Sequence, residues 1–261
     1  MSQSRNKIRA DELLVQLGHA ESRSKAKAMI LAGDVRIGDR IIDRPAEPLA
    51  ADTTFDVAQP PRFVSRGGFK LEHALNAFSI DVSGTVAADL GASTGGFTDC
   101  LLKRGASKVY AVDVGYGQLD YRLRQDSRVI VMERVNARYL ESLPEAIDLV
   151  TIDVSFISLE HMLPVAGRVL KSGGVVVALI KPQFEAGKGV VDRRGVVKDE
   201  RVRRDVVLRV VDLAQNGNIG LRGLERSPVV GPAGNIEFLG FFEKDAQSSD
   251  PKEFLQAVFG V

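Results

Sequence analysis

Thr85-Val-Ala-Ala-Asp89-Leu90-Gly91-Ala92-Ser93-Thr94-Gly95-Gly96-Phe97-Thr98-Asp99 decides the architecture. An apolar run ends in an acid, a turn of small residues follows, and a helix then begins. Such a turn lies at the carboxyl end of the first strand in open α/β sheets, where nucleotide-like ligands bind. Glycine lets the backbone approach a ligand closely, and the helix start offers unpaired N–H groups.

Three ligands compete for the turn. A mononucleotide P-loop requires Gly-Lys-Ser/Thr, which is absent. A dinucleotide fingerprint requires Gly-x-Gly-x-x-Gly, but Ser93 takes the middle position and Asp89 would repel a pyrophosphate. Asp113 ends the next strand, 24 positions after Asp89, where its carboxylate can accept hydrogen bonds from both ribose hydroxyls. S-adenosylmethionine has a cationic amine, a ribose and no phosphate, so the two acids favour it over NAD. The candidate cofactor contacts are Asp89, Gly91, Ala92, Ser93, Gly95, Gly96, Phe97, Asp113 and Asp153.

Outward from the turn, apolar strands alternate with amphipathic helices. The strands read as Thr85–Leu90, Lys108–Asp113, Val129–Met132, Ile147–Asp153 and Val175–Ile180, with Leu221–Arg226 and Asn235–Glu243 as two more. A helix near Gly67–Phe78 precedes them and one at Glu253–Phe259 closes the chain. This alternation predicts an α/β, Rossmann-like domain over residues 67–261, with a mostly parallel, seven-stranded sheet covered on both faces.

The first residues differ. Leu13, Leu14 and Leu17 stand at helical spacing before Gly18, and Ser22 caps a second helix through Ala26, Met29, Ile30 and Leu31 to Gly33. Val35–Ile37 and Ile41–Ile42 form a hairpin around Gly38-Asp39. Residues 1–59 therefore read as a small α+β domain, and 60–66, opening with paired prolines, as a linker.

The chain has 261 residues, 44% hydrophobic and 26% charged, with one cysteine and no tryptophan. That excludes a disordered, collagen-like or disulfide-stapled protein. The lone Cys100 suits a reducing cytoplasm. No apolar run approaches the roughly 18 residues of a membrane span, and Met1 to Arg9 lacks the apolar core of a secretory signal. The three histidines have no metal-ligand spacing, so no metal is expected. The net charge of +1, from 35 basic and 34 acidic residues, leaves nucleic-acid binding open, because local distribution governs it.

Four ionisable residues stand where a surface role fits poorly. Asp153 and Lys181 end neighbouring apolar strands at the edge that carries the glycine turn. Lys70 lies on the helix before the first strand, and Glu237 in the alternating segment Asn235–Leu239. Such a set can methylate a ribose 2′-hydroxyl, which is a poor nucleophile until its proton is drawn away. In-line attack needs donor and hydroxyl held close. A lysine acts as base only when part of it is neutral, which desolvation and a second cation promote. Lys181 would be that base beside Lys70, with Asp153 and Glu237 orienting the amines.

Val64-Ser-Arg-Gly-Gly-Phe-Lys70-Leu, the Asp89–Asp99 turn, Asp153-Val-Ser-Phe-Ile-Ser-Leu159 and Lys181-Pro-Gln-Phe-Glu185 together resemble the haemolysin A family. The family's members are ribosomal RNA 2′-O-methyltransferases with an N-terminal RNA-binding domain like that of ribosomal protein S4. The likeness spans nearly the whole chain. It implies an FtsJ-type catalytic domain whose Lys-Asp-Lys-Glu tetrad falls on Lys70, Asp153, Lys181 and Glu237, with Lys181 as base. It implies Asn136 as a further cofactor contact, S-adenosylmethionine as cofactor and a cytidine ribose as acceptor. It also implies ribosomal RNA or a ribosomal subunit as partner. Arg5, Arg9, Arg23, Lys25 and Lys27 become candidate RNA contacts, and Arg62 and Arg66 extend them. A second basic stretch, Arg193 to Arg204, is interrupted by acids and reads equally as a solvated helix face. A monomer in the cytoplasm is expected. The competing readings are a membrane-active haemolysin, which the family name suggests, and a non-catalytic RNA-binding assembly factor, which the intact tetrad disfavours.

Overall fold

Val175–Ile180 is apolar at every position, and the sheet it joins explains why. Val176, Ala178 and Ile180 face one hydrophobic layer, while Val177 and Leu179 face the other. A central strand covered on both sides has no solvent face, so polar alternation disappears from its sequence. The computed structural model describes residues 7–58, 61–187 and 189–260. It divides the chain into two units, Met1–Arg62 and Phe63–Val261.

The first unit contains β1 (Lys7–Arg9), α1 (Ala10–Gln16), α2 (Arg23–Leu31), β2 (Val35–Ile37), β3 (Arg40–Ile41), β4 (Pro48–Ala50) and β5 (Asp56–Val57). β1 pairs with β4, and β2 lies between β3 and β5. Ser22 caps α2, its hydroxyl accepting from the Lys25 N–H at 3.3 Å. Leu13, Leu14, Ala26, Ile30, Val35 and Ile42 form the core. Full burial of each Leu or Ile contributes about 1.5–3 kcal/mol, a large share for so small a unit. Leu17 and Leu31, expected on the inward stripes, are 46% and 64% exposed. α1 stops at Gln16, which leaves Leu17 beyond the last turn, and Ile30 takes the inward place at the end of α2.

The second unit begins inside the expected linker. Phe63 is buried, and the Val64 N–H donates to Asp99 Oδ2 at 2.9 Å. Then come α3 (Gly67–Ala77), β6 (Val86–Leu90), α4 (Gly96–Lys103), β7 (Lys108–Asp113), α5 (Tyr121–Gln125), β8 (Val129–Glu133) and β9 (Ile147–Ile152). They are followed by α6 (Leu159–Val169), β10 (Leu170–Ile180), α7 (Pro182–Glu185), α8 (Glu200–Asn216), β11 (Ile219–Arg226), β12 (Phe238–Lys244) and α9 (Pro251–Phe259). The seven strands lie in the order β11-β12-β10-β9-β6-β7-β8. β12 runs antiparallel to both neighbours, and the remaining pairs are parallel. Helices α3 and α4 cover one face through Leu71, Phe97 and Leu101. Helices α6, α8 and α9 cover the other through Met162, Val207 and Leu255.

Two strand boundaries differ from the sequence reading by more than two residues. β10 begins at Leu170, because the pairing with β9 shifts between Leu170 and Val175 across Gly173, whose φ is +68°. Residues 235–237, expected in a strand, form a loop. The buried Asn235 side chain accepts from Val197 N–H and donates to Gly195 O and Pro232 O, which ties it to neighbouring loops. Glu237 therefore sits just ahead of β12. The parallel strands end, and the reversed β12 begins, at one edge of the sheet, and the candidate site lies there.

Candidate active site

The turn after β6 is built to stay open. Gly91 and Ala92 both donate N–H bonds to Val112 O, at 2.9 and 3.1 Å, which folds the chain back over β7. Gly91 has φ +89°, and a Cβ there would stand 2.9 Å from Asp153 O. At Gly95, φ is +95° and a Cβ would strike Leu123 at 2.3 Å, so α4 can start only on glycine. Asp113 grips the same turn, its Oδ2 accepting from Ser93 N–H at 2.8 Å and its Oδ1 from Gly115 N–H at 2.6 Å.

A cavity of about 460 Å³ opens beside this turn. Gly91, Ser93, Asp113, Asn136, Asp153 and Met162 are among its walls, together with Ser155 and Phe156. Its lining holds two carboxylates and no lysine or arginine. Asn136 caps the short helical turn Ala137–Tyr139 by accepting from Arg138 N–H at 3.1 Å.

Asp89 and Gly95, expected as cofactor contacts, are not among the residues lining the cavities at this edge of the sheet. Asp89 is fully buried, accepting from Thr98 N–H at 3.0 Å, Thr98 Oγ1 at 2.7 Å and Thr151 Oγ1 at 3.0 Å. Burial pushes its carboxyl up to about 6, against the opposing pull of these hydrogen bonds. Asp89 thus braces the turn from behind, and the acidity a cationic ligand would meet comes from Asp113 and Asp153.

A second cavity, of about 280 Å³, shares Gly91, Ser93, Asp153 and Ser155 with the first. Lys70, Asp153, Lys181 and Glu237 all line it, as do Ala92, Gly96, Phe97 and Arg66. The four charges sort into two ion pairs. Lys70 Nζ lies 2.6 Å from Glu237 Oε2, and Lys181 Nζ lies 2.6 Å from Asp153 Oδ1. Lys70 and Lys181 are each 8% exposed and Glu237 is 1% exposed. Lys181 also donates to Val154 O at 2.8 Å and Ser155 Oγ at 3.2 Å. Burying charge this way is costly, and removing one member of such a pair typically costs about 3–5 kcal/mol. Arrangements of this kind concentrate at functional sites.

Three contributors escaped the sequence reading. Gln183 Nε2 donates to Glu237 Oε1 at 3.1 Å, the only sequence sign being its place in the Lys181–Glu185 motif. Gly231 lies against the Glu237 carboxylate, where a Cβ would fall 2.2 Å from Oε1, and nothing in Val230-Gly-Pro-Ala foretells that contact. Phe156, at φ +64°, is 90% exposed and leans on Phe184 at 4.9 Å between ring centres.

In the first unit, Lys25 and Lys27 are exposed on α2. Arg9 instead makes a two-pronged contact with Asp11, at 3.0 and 2.7 Å, and Arg23 approaches the same carboxylate at 3.6 Å. Arg62 is exposed, as is Arg66 at the start of α3, while Arg5 lies outside the described residues. The second basic stretch is partly spent internally. Asp192 accepts from the Arg194 and Val196 N–H groups and pairs with Lys198 at 3.0 Å, and Asp199 caps α8. Among the described residues, no group of three or more histidine, cysteine or acidic side chains is placed to hold a metal, and no helix is long and apolar enough to cross a membrane.

The family model for FtsJ-like methyltransferases matches residues 63–244, and that for the S4 domain matches residues 8–54. YqxC of Bacillus subtilis (strain 168), named as an rRNA methyltransferase, is 48% identical over 240 residues, which cover 89% of this chain and 84% of its own. TlyA of Mycobacterium tuberculosis, named as a 16S/23S rRNA (cytidine-2′-O)-methyltransferase, is 46% identical over 236 residues, covering 89% of this chain and 88% of its own. A solved structure from Streptococcus thermophilus that carries the hemolysin name superposes with a TM-score of 0.75 at 41% identity, covering 98% of this chain and 96% of that one.

Proposed function

The chain belongs to the FtsJ-like methyltransferase family, with an S4 domain ahead of the catalytic unit, and from that membership we propose that it methylates the 2′-hydroxyl of a cytidine ribose in ribosomal RNA. The observation that carries this reading is the pair of joined cavities. One is lined by carboxylates without a cation, and the other by two lysine–carboxylate pairs, and Asp153 and Ser155 belong to both.

The larger cavity suits S-adenosylmethionine. Asp113 presents its remaining lone pairs to the ribose hydroxyls, Asp153 faces the positive charge, and the absence of lysine or arginine disfavours a phosphate. When bound, S-adenosylmethionine supplies a methyl group on a positively charged sulfur.

In the smaller cavity, the Lys181 ammonium has three acceptors: Asp153 Oδ1, Val154 O and Ser155 Oγ. A neutral amine has two N–H donors and one lone pair. A carboxylate and a carbonyl can only accept, so they keep the two donors and the lone pair turns toward the third direction. There Ser155, able to donate or accept, gives place to the incoming hydroxyl, and Lys181 Nζ takes its proton. Lys70, held by Glu237, sets a fixed ammonium against the developing alkoxide. The two pairs together align the acceptor oxygen with the donor cavity.

The S4 unit supplies RNA affinity through phosphate contacts and shape, with Arg9, Arg23, Lys25, Lys27 and Arg62 as the contacts. Arg66, on the wall of the smaller cavity, meets the backbone beside the target nucleotide. Ribosomal RNA or a ribosomal subunit in the cytoplasm is the substrate. Mapping ribosomal 2′-O-methylation in cells with and without the gene tests this. At least one cytidine should lose its mark, and regain it with the parent protein but not with Lys181→Ala. An unchanged map would refute the assignment.

A further inference from the structure

Glu185 has no part in the chemistry above, yet it is one of the few buried acids of the catalytic unit, 6% exposed. It ends α7, the four-residue helix that follows Lys181 directly. Its two oxygens reach across to the segment after β9. Oε2 accepts from Ser158 Oγ at 2.7 Å, and Oε1 accepts from the Leu159 N–H at 2.8 Å. No ion pair to Glu185 is found among the described residues, and a buried carboxylate satisfied by neutral donors alone is expensive to keep. A serine or aspartate at the cap position satisfies a helix start without that cost, and Ser158 already does so for α6, accepting from Glu160 N–H at 3.1 Å. Satisfying the α6 start, where Glu185 takes the Leu159 N–H beside Ser158, does not by itself explain a buried charge at this place.

The segment it holds does. Asp153 to Ser158 carries the partner of Lys181, the shared wall residue Ser155 and the exposed Phe156. Lys181 grips the front of this loop through Asp153, Val154 and Ser155. Glu185, one turn further along the same chain, grips its end. Arg209 of α8 donates to the Glu185 carbonyl and anchors α7 from behind. We propose that Glu185 is a positioning residue: its carboxylate clamps the loop after β9 to α7 and so fixes Lys181 Nζ against Asp153 and Ser155 in the orientation methyl transfer requires. The inference deepens the proposed 2′-O-methylation and rests on it.

Single-turnover methyl transfer to ribosomal RNA, measured at saturating S-adenosylmethionine on the full chain, tests it. Glu185→Ala should lower the rate constant at least tenfold while cofactor and RNA affinities stay within about threefold. Glu185→Gln should recover most of that loss. Its amide oxygen still accepts from Leu159 N–H, and its NH₂ can donate to Ser158 Oγ. Hydrogen exchange should quicken across residues 154–159 in the alanine variant and not in the glutamine one. Ser158→Ala, which removes one of the two links, should lie between them, and it decides the matter if Glu185→Ala does not fold. A rate constant unchanged in folded Glu185→Ala or in Ser158→Ala overturns the proposal, as does Glu185→Gln failing as badly as alanine. A parent protein that transfers no methyl group would instead overturn the assigned function.

Discussion

Gly231→Ala perturbs the tetrad without replacing any of its members. Gly231 has φ −70° and ψ −178°, which alanine adopts freely, so the added methyl brings no backbone strain. Its only cost is contact: the Cβ would lie 2.2 Å from Glu237 Oε1 and 2.7 Å from Cδ. Carbon and oxygen approach comfortably no closer than about 3.3 Å, so the carboxylate must retreat by about 1 Å. It cannot do so independently, because Oε2 is 2.6 Å from Lys70 Nζ and Oε1 accepts from Gln183. Displacement on that scale at a reacting geometry costs about a hundredfold in rate, or roughly 2.7 kcal/mol of barrier. Single-turnover transfer of labelled methyl to ribosomal RNA reads the rate, and titration of S-adenosylmethionine reads the donor cavity, which Gly231 does not line. We expect the hundredfold loss with cofactor affinity within twofold. In a Glu237→Ala background the clash has no target, so the glycine change should then cost less than about twofold. A full-rate Gly231→Ala enzyme would refute the reasoning, as would an equal loss in both backgrounds.

Lys181→Ala should lower methyl transfer by at least 10²–10⁴, the range a positioned base supplies, with S-adenosylmethionine affinity within several-fold of the parent. A variant that turns over normally removes the base assignment. Replacing Lys25 and Lys27 together by alanine should weaken RNA binding and reduce its salt dependence by about one unit of slope per lost phosphate contact. An unaltered slope moves the RNA surface elsewhere. Asp89 titrates near 6 in the folded protein against an ordinary 3.8, so between those values the folded state binds more protons and stability falls as pH rises. The decline amounts to about 3 kcal/mol at most. Asp89→Asn should flatten it, which melting curves between pH 4 and 6 would show, and parallel curves for parent and variant would contradict the assignment.

Asp153 and Lys181 were legible in the sequence because charge at the ends of apolar strands breaks a pattern set by burial, whereas Lys70 on its helix and Glu237 in an alternating segment were singled out without that rule. Strand edges in a doubly covered sheet obey a simple rule, so Asp153 and Lys181 fall at one edge by topology alone. The pairing within the quartet was not legible. Which lysine meets which acid depends on β12 running antiparallel between β10 and β11, and strand direction leaves no mark on composition. Asp89 shows the opposite failure. An acid at a strand end before a glycine turn reads as a ligand contact, yet two threonines, Thr98 and Thr151, claim it from α4 and β9. Gly231 and Glu185 were invisible for a related reason, since each matters through contacts that composition does not record, Gly231 against the Glu237 carboxylate and Glu185 against Ser158 Oγ and the Leu159 N–H. In the first unit, periodicity placed both helices but not their last turns, where Leu17 and Leu31 escape the core.

The reversed strand has a bearing on synthesis. Glu237 stands 167 residues beyond the lysine it neutralises, so during translation Lys70 waits for its counter-ion through most of the unit's emergence. A nascent chain halted short of that point has every parallel strand and the whole glycine turn, yet holds an ammonium with no acid to receive it. On the proposed mechanism, methyl transfer cannot precede the β11–β12 hairpin, which brings Glu237 to Lys70.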